Sequence, residues 1–195
     1  MLTEAELWGL FETTGAVLKG HFLLSSGLHS PVYIQCAKLL QHPDLAERVC
    51  RALAGKVRGL GPVQAVVGPA LGGIVVAYEL ARALGVRGMF AERDNGRMCL
   101  RRGFEVSPGE RVLIAEDVVT TGRSSLEVAE VVRAAGGNPV GIACLVDRRP
   151  DATEPKLPVI SLLRIELETF SPEECPLCRE GVPLVKPGSR PGPGT

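Results

Sequence analysis

The segment Val112-Leu-Ile-Ala-Glu-Asp-Val-Val-Thr-Thr-Gly-Arg-Ser-Ser125 constrains this chain more than any other. A short apolar run bounded by polar residues reads as a strand buried on both faces, the kind found in parallel sheets covered by helices. It carries two adjacent carboxylates, Glu116 and Asp117, to the carboxyl edge of the sheet, with a loop expected from Asp117. The helix that follows, Ser124 to Ala135, stops at Gly136-Gly137. Ligands of open α/β sheets bind at that edge. The amides of Thr121, Gly122, Arg123 and Ser124, with the neighbouring hydroxyls, form a cradle for a phosphate dianion at the positive helix end. The carboxylates are then placed to accept hydrogen bonds from ribose hydroxyls, or to help hold a magnesium ion bound mainly by substrate oxygens. The same residues also admit a plainer reading, a helix cap with Asp117 as a turn residue.

Around this segment short apolar runs alternate with helical patterns, as in βαβ units. Val63 to Gly68, Val86 to Ala91 and Val140 to Val146 read as strands, and Val159 to Ile165 as a last one. Gly73 to Leu84 reads as a helix stopped by Gly85. A turn at Arg93-Asp-Asn-Gly96 predicts a hairpin with Met98 to Val106. Upstream, Thr3 and Glu6 form a capping box for a helix ending before Gly15, and residues 20 to 36 read as a strand pair around Ser-Ser-Gly. Asp44 is the expected N-cap of a helix running to about Gly59. The fold class is α/β, a Rossmann-like, mainly parallel sheet flanked by helices.

Lys and Arg number 22 and balance 22 Asp and Glu in 195 residues, of which 45% are hydrophobic. The chain is large enough for one buried core, and its neutrality removes the basic footprint of nucleic-acid or membrane binding. The start carries no apolar leader, so a cytoplasmic protein is expected. Six cysteines in such a chain are read as reduced thiols. Cys175-Pro-Leu-Cys178 has no second pair at zinc spacing and is expected to be an inert packed turn. His21, His29 and His42 are scattered, and His29 is expected at the surface. Four Pro and three Gly in residues 182–195 predict a disordered tail after a single domain at 1–181, with a small N-terminal part at about 1–42 and a core at about 43–170.

Two further segments have chemical readings. Gly68-Pro-Ala-Leu-Gly-Gly73 is either a tight turn or a loop whose backbone approaches a second anionic group; it has neither the Lys-Ser/Thr ending of a P-loop nor the dinucleotide glycine spacing. Arg93, Arg97, Arg101 and Arg102 are either a solvated hairpin edge or an arm that brings guanidinium groups onto pyrophosphate.

Glu116 to Ser125 resembles the phosphoribosyl-pyrophosphate motif of the type I phosphoribosyltransferases, and Gly68 to Gly73 resembles their pyrophosphate loop. Gly20 to Ile34 is similar to the hood of the orotate phosphoribosyltransferases, and the likeness runs from about residue 5 to about 180. The resemblance implies transfer of a phosphoribosyl group from phosphoribosyl pyrophosphate (PRPP) to orotate with Mg2+ and no direct protein ligand to the metal. It also implies a homodimer. By the same resemblance Glu116, Asp117, Val118, Val119, Thr120, Thr121, Gly122, Arg123 and Ser124 bind the donor, joined by Arg93 and Arg97. Glu116 and Asp117 take the catalytic role, while Thr120 and Arg148 meet orotate, whose carboxylate suits a guanidinium fork. The chain departs from the family's common pattern at Ser25 and at Leu71-Gly72, where lysine or Tyr-Lys is usual, and its 93–103 segment holds no Lys or His. Two rivals share the fold: a purine phosphoribosyltransferase, and an RNA-binding pyrimidine regulator, which needs a basic face.

Overall fold

Val112, Leu113, Ile114 and Ala115 are wholly buried because both faces of their strand are covered. Leu113 and Ala115 point into one apolar cluster, Val112 and Ile114 into a second on the other side of the sheet, as the period of two requires. The structure, a computed structural model, describes residues 2–24, 26–149 and 156–187. Its elements are α1 (Glu4–Thr13), β1 (Val17–Leu23), β2 (His29–Ile34), α2 (Ala37–Leu40), α3 (Pro43–Val57), β3 (Ala65–Pro69), α4 (Gly72–Leu84), β4 (Arg87–Asp94), β5 (Arg97–Leu100), β6 (Arg111–Val119), α5 (Arg123–Ala134), β7 (Asn138–Asp147), β8 (Val159–Arg164) and α6 (Pro176–Arg179).

The six-stranded sheet has the order β5-β4-β3-β6-β7-β8. Only β4 and β5 pair antiparallel within it; the other pairs are parallel. The first cluster packs Val49, Leu53 and Val57 of α3 and Val76 and Leu80 of α4 against one face. Val128, Ala129 and Val132 of α5 close the other. Burying each of the larger aliphatic side chains contributes about 1.5–3 kcal/mol, so both faces are strongly held. Among the described residues no helix is long and apolar enough to cross a membrane.

Several expectations shift. β6 does not end at Glu116: Val118 and Val119 pair with Val146 and Asp147, so Asp117 is a strand residue. The N-cap of α3 is His42, not Asp44, because Pro43 takes the first helical position, where a missing N–H costs nothing. The partner strand of β4 is short, since Arg102 and Gly103 both have positive φ (59° and 73°) and turn the chain away. Asn95 and Gly96, also at positive φ, make the tight hairpin turn.

β1 and β2 form a separate antiparallel pair. The segment from 165 to 187 returns to this pair: His29 and Phe170 exchange backbone hydrogen bonds at 2.9 Å each. Val185 donates to the His21 carbonyl at 2.8 Å and accepts from the Leu23 amide at 2.8 Å. Residues 182–187, expected to begin an unordered tail, are therefore tied to β1; residues 188–195 lie outside the described residues. His21 and His29 are 2% and 4% exposed, so the expectation of a surface His29 is corrected.

The junction of β3, α4 and β6 leaves no room for a side chain. A Cβ on Gly68 would lie 2.2 Å from the Gly73 carbonyl oxygen and 3.0 Å from that of Ala115. Gly68→Ala is expected to destabilise by about 1–3 kcal/mol through overpacking. Gly59→Ala, with nothing within 4 Å of the new methyl group, is the control and stays within about 0.5 kcal/mol. Urea unfolding checks both; equal midpoints for the two variants contradict the packing account.

Candidate active site

The carboxyl ends of β3 and β6 open onto a cleft of about 830 Å³, which neither β7 nor Arg148 lines. Pro69 to Gly72 form one wall, Glu116 to Val118 the floor, and Tyr33 and Gln35, at and just beyond the end of β2, the opposite side. A smaller cup of about 50 Å³ adjoins it, lined by Glu116 and by residues 118–125. The cup is the turn from β6 into α5. Gly122 caps that helix at φ 72° with no side-chain cap bond, so the first-turn amides are left for a ligand. Within the turn, the Arg123 amide donates to Thr121 Oγ1 at 3.3 Å. All the residues from Glu116 to Ser124 expected to bind the donor are brought to these two adjoining hollows.

Glu116 and Asp117 are consecutive in a strand and so turn to opposite sides, yet both line the larger cleft. Burial, then the neighbouring Asp117 charge, pushes the Glu116 carboxyl well above its ordinary range. Burial also raises Asp117, opposed by the Val118 amide, which donates to Asp117 Oδ1 at 2.8 Å. No cation is among the groups that act on either carboxyl. Gly72 makes the close approach possible: a Cβ there would lie 2.6 Å from Asp117 Oδ1. Leu71, 70% exposed, stands at the cleft wall beside it.

Arg148 follows β7, and its neighbours hold it in place. Asp147, 2% exposed, accepts from Arg149 Nε at 3.0 Å and Nη2 at 2.8 Å. Burial would raise the Asp147 carboxyl, but the bonds from Arg149 outweigh it and hold the carboxyl below its ordinary range. With Asp147 and Arg149 locked together on one side, Arg148 extends to the other. Its amide donates to the Val119 carbonyl at 2.8 Å. Its Nε is buried with no hydrogen-bond partner, and burial lowers its pKa. Tyr33 acts on Arg148 electrostatically and is itself raised by burial and by Asp117. Tyr33 was not singled out from the sequence; a tyrosine in a strand of a hairpin gives no signal until the hairpin is placed over the sheet edge.

The hairpin arginines lie elsewhere. Arg93 bonds Glu127 of α5 and the Gly96 carbonyl, Arg102 pairs with Glu92 at 3.1 Å and stacks over Phe90, and Arg101 pairs with Asp94 at 3.7 Å. Arg97 is exposed, and neither it nor Arg93 lines the cleft or the cup. Such exposed pairs contribute little to stability.

The chain is similar to known proteins along most of its length. The profile of the phosphoribosyl transferase domain matches residues 36–175. An orotate phosphoribosyltransferase of Pelotomaculum thermopropionicum is 54% identical over 189 residues, covering 97% of this chain and 99% of the relative. One from Caldanaerobacter subterraneus subsp. tengcongensis is 53% identical over 181 residues, 93% of this chain and 95% of the relative. Among solved structures, orotate phosphoribosyltransferase from Aeropyrum pernix is 32% identical with a TM-score of 0.66, covering 81% of this chain and 93% of that one. The enzyme from Mycobacterium tuberculosis H37Rv, solved with inorganic phosphate, is 30% identical with a TM-score of 0.66, covering 82% and 94%.

A carboxyl raised by folding is disfavoured as an anion in the native state. Its contribution to stability, full below the unfolded pKa, is lost as pH rises through the folded pKa. Glu116→Gln removes that loss. The variant is expected to melt higher than the parent near pH 8, with the gap closing toward about pH 4, where the parent's unfolded carboxyl is itself half protonated. Thermal melts across this range check it; a variant that melts lower near pH 8 contradicts the burial argument.

Proposed function

The chain belongs to the orotate phosphoribosyltransferase family, and from the geometry of its site we propose that it transfers the phosphoribosyl group of PRPP to orotate. The products are orotidine 5'-monophosphate and pyrophosphate, a step of de novo pyrimidine nucleotide synthesis. The fold is the type I phosphoribosyltransferase fold, with a small two-stranded hood. The observation that carries the proposal is the buried carboxylate pair of β6 standing beside the uncapped amides of α5. The purine and RNA-regulator readings are not favoured, since relatives near 50% identity over almost the whole chain are orotate enzymes.

In this reading the 5'-phosphate sits in the cup, held by the amides and hydroxyls of residues 120–124. Glu116 and Asp117 accept hydrogen bonds from the ribose hydroxyls, which fixes the sugar and sets negative charge near an anomeric carbon that becomes oxocarbenium-like. Pyrophosphate leaves along the Pro69–Gly72 wall as the orotate ring nitrogen attacks. Arg148 binds the orotate carboxylate, which gives its buried guanidinium an anion, and Thr120 supports the ring. No protein nucleophile is needed.

Magnesium, implied by the family, fits the site: among the described residues no cation acts on either of the two adjacent acidic groups. Bound mainly by substrate oxygens, it would neutralise charge on the leaving pyrophosphate, and Glu116 and Asp117 are the residues that would help hold it. Arg93 and Arg97 are proposed as further donor contacts after exchange of their surface partners. A homodimer is part of the proposal, supported by Leu71, Val75 and Tyr78, which are 70%, 41% and 65% exposed at the start of α4. Neutral net charge favours a cytoplasmic protein without a nucleic-acid partner.

Pyrophosphate release by the purified protein with PRPP and magnesium is expected with orotate and not with uracil or purines. Turnover of a purine alone overturns the assignment. Arg148→Ala is expected to raise the orotate KM by roughly 10–100-fold, the loss of a charge-assisted bond of about 1.5–3 kcal/mol, with little change for PRPP. An unchanged orotate KM removes Arg148 from the site. Because both carboxyls are held high in the free protein, kcat/KM is expected to fall on the acid side at a pH above the ordinary carboxylate range. A pH profile flat down to about pH 4 contradicts their role.

A further inference from the structure

His21, His29, Cys175 and Cys178 bring four ligand atoms within 4.8 Å of one another, in a place where none of them lines the cleft or the cup. We infer that these four residues form a structural Cys2His2 zinc site that fastens the C-terminal segment to the hood.

The donor set is the first argument. Two thiols and two imidazoles converge with no carboxylate among them, the set that selects a borderline-soft d10 cation in tetrahedral geometry. Distances are the second. Cys175 Sγ lies 3.4 Å from His21 Nε2, and Cys178 Sγ lies 3.7 Å from His21 Nε2 and 3.3 Å from His29 Nδ1. The two ring nitrogens are 2.9 Å apart. Bonds of about 2.3 Å to sulfur and about 2.0–2.1 Å to nitrogen give tetrahedral edges of roughly 3.3–3.8 Å, so these four separations lie within about half an ångström of the edges and the widest one, 4.8 Å, has to close by about 1 Å.

Orientation is the third argument. His21 Nδ1 lies 2.8 Å from the Val182 carbonyl oxygen, and its N–H donates there. That bond places the proton on Nδ1 and leaves the Nε2 lone pair directed at the two thiols, as zinc ligation requires. The backbone around the cluster is already paired: His29 with Phe170, and Val185 with His21 and Leu23. The ligands are therefore held before any ion binds. Both thiols are free, and Cys175, His21 and His29 are buried to 4% exposure or less.

Sequence spacing hid this site because its halves lie 154 residues apart between His21 and Cys175. The expectation that Cys175-Pro-Leu-Cys178 is an inert turn is corrected by the two histidines beside it. A metal bond across that span closes a long loop, where cross-links remove much chain entropy from the unfolded state.

The test uses the untagged full-length protein, purified without chelator. Elemental analysis is expected to find about one zinc ion per chain, and X-ray absorption two sulfur neighbours at about 2.3 Å and two nitrogens at about 2.0–2.1 Å. Cys178→Ser, at the exposed corner of the cluster, is expected to stay folded by circular dichroism, to lose the zinc, and to melt lower than the parent by the same amount as the parent stripped with chelator. His29→Asn is the second variant and is expected to behave alike. Zinc at background in the parent, both as purified and after incubation with zinc chloride, overturns the site. So does a Cys175–Cys178 disulfide found by thiol titration, or a zinc content that Cys178→Ser and His29→Asn leave unchanged.

Discussion

Two acidic groups at the end of a sealed strand set the terms for the rest of the molecule. β6 is buried on both faces as far as Ala115, and Glu116 and Asp117 come next, with burial opposing the charge of each. Pairs of like charges in low dielectric are unfavourable unless something compensates them. Within the protein the compensation is slight: the Val118 amide on Asp117, the Asp117 amide and the Ser125 hydroxyl on Glu116, and a hydrogen bond between the two carboxyls themselves. In the proposed reading the larger compensation comes from outside, as ribose hydroxyls and a cation carried by the substrate. The site is least comfortable when empty, a condition that favours a charged, hydroxyl-rich ligand over water.

That arrangement needs backbone on three sides at van der Waals distance. Gly68 and Gly73 let β3 and the start of α4 pack against the Ala115 carbonyl, and Gly72 leaves Asp117 room at the cleft wall. A lysine in the wall, common in the family, would bring positive charge to the leaving group. Here Leu71 and Gly72 supply none, while Arg93 of β4 is engaged with Glu127, and Arg101 and Arg102, just beyond β5, with Asp94 and Glu92. In the proposed reading, positive charge for pyrophosphate comes from magnesium or from guanidinium groups exchanging weak surface partners.

How much of this was readable from residues alone follows the range of the interactions. The Val112–Ser125 segment was read correctly as strand, acidic pair and helix because each step is local: an apolar run, a left-handed glycine, a helical period. Gly85 ended α4 and Asn95-Gly96 turned the β4–β5 hairpin for the same reason. The end of β6 was misplaced because its last residues take their strand conformation from β7, more than twenty positions away. Tyr33 and Arg148 meet only after the hood has folded over the sheet edge, and neither carries a motif. The thiol and imidazole cluster was missed by the same logic.

The hood shows why such a cluster belongs where it does. A two-stranded sheet is marginal on its own, and β1 and β2 bury only part of their side chains. Yet β2 holds Tyr33 at the cleft, so any looseness in the hairpin is felt at the site. The fold meets this by doubling the chain back: residues from 168 to 185 pair with β1 and β2 through Ser30, His29, His21 and Leu23. Backbone bonds of this kind are exposed to exchange with water wherever the segment frays. Four donors gathered beside them, three of them buried, make the return segment part of the hood rather than an appendage, and the strand that carries Tyr33 is braced by it.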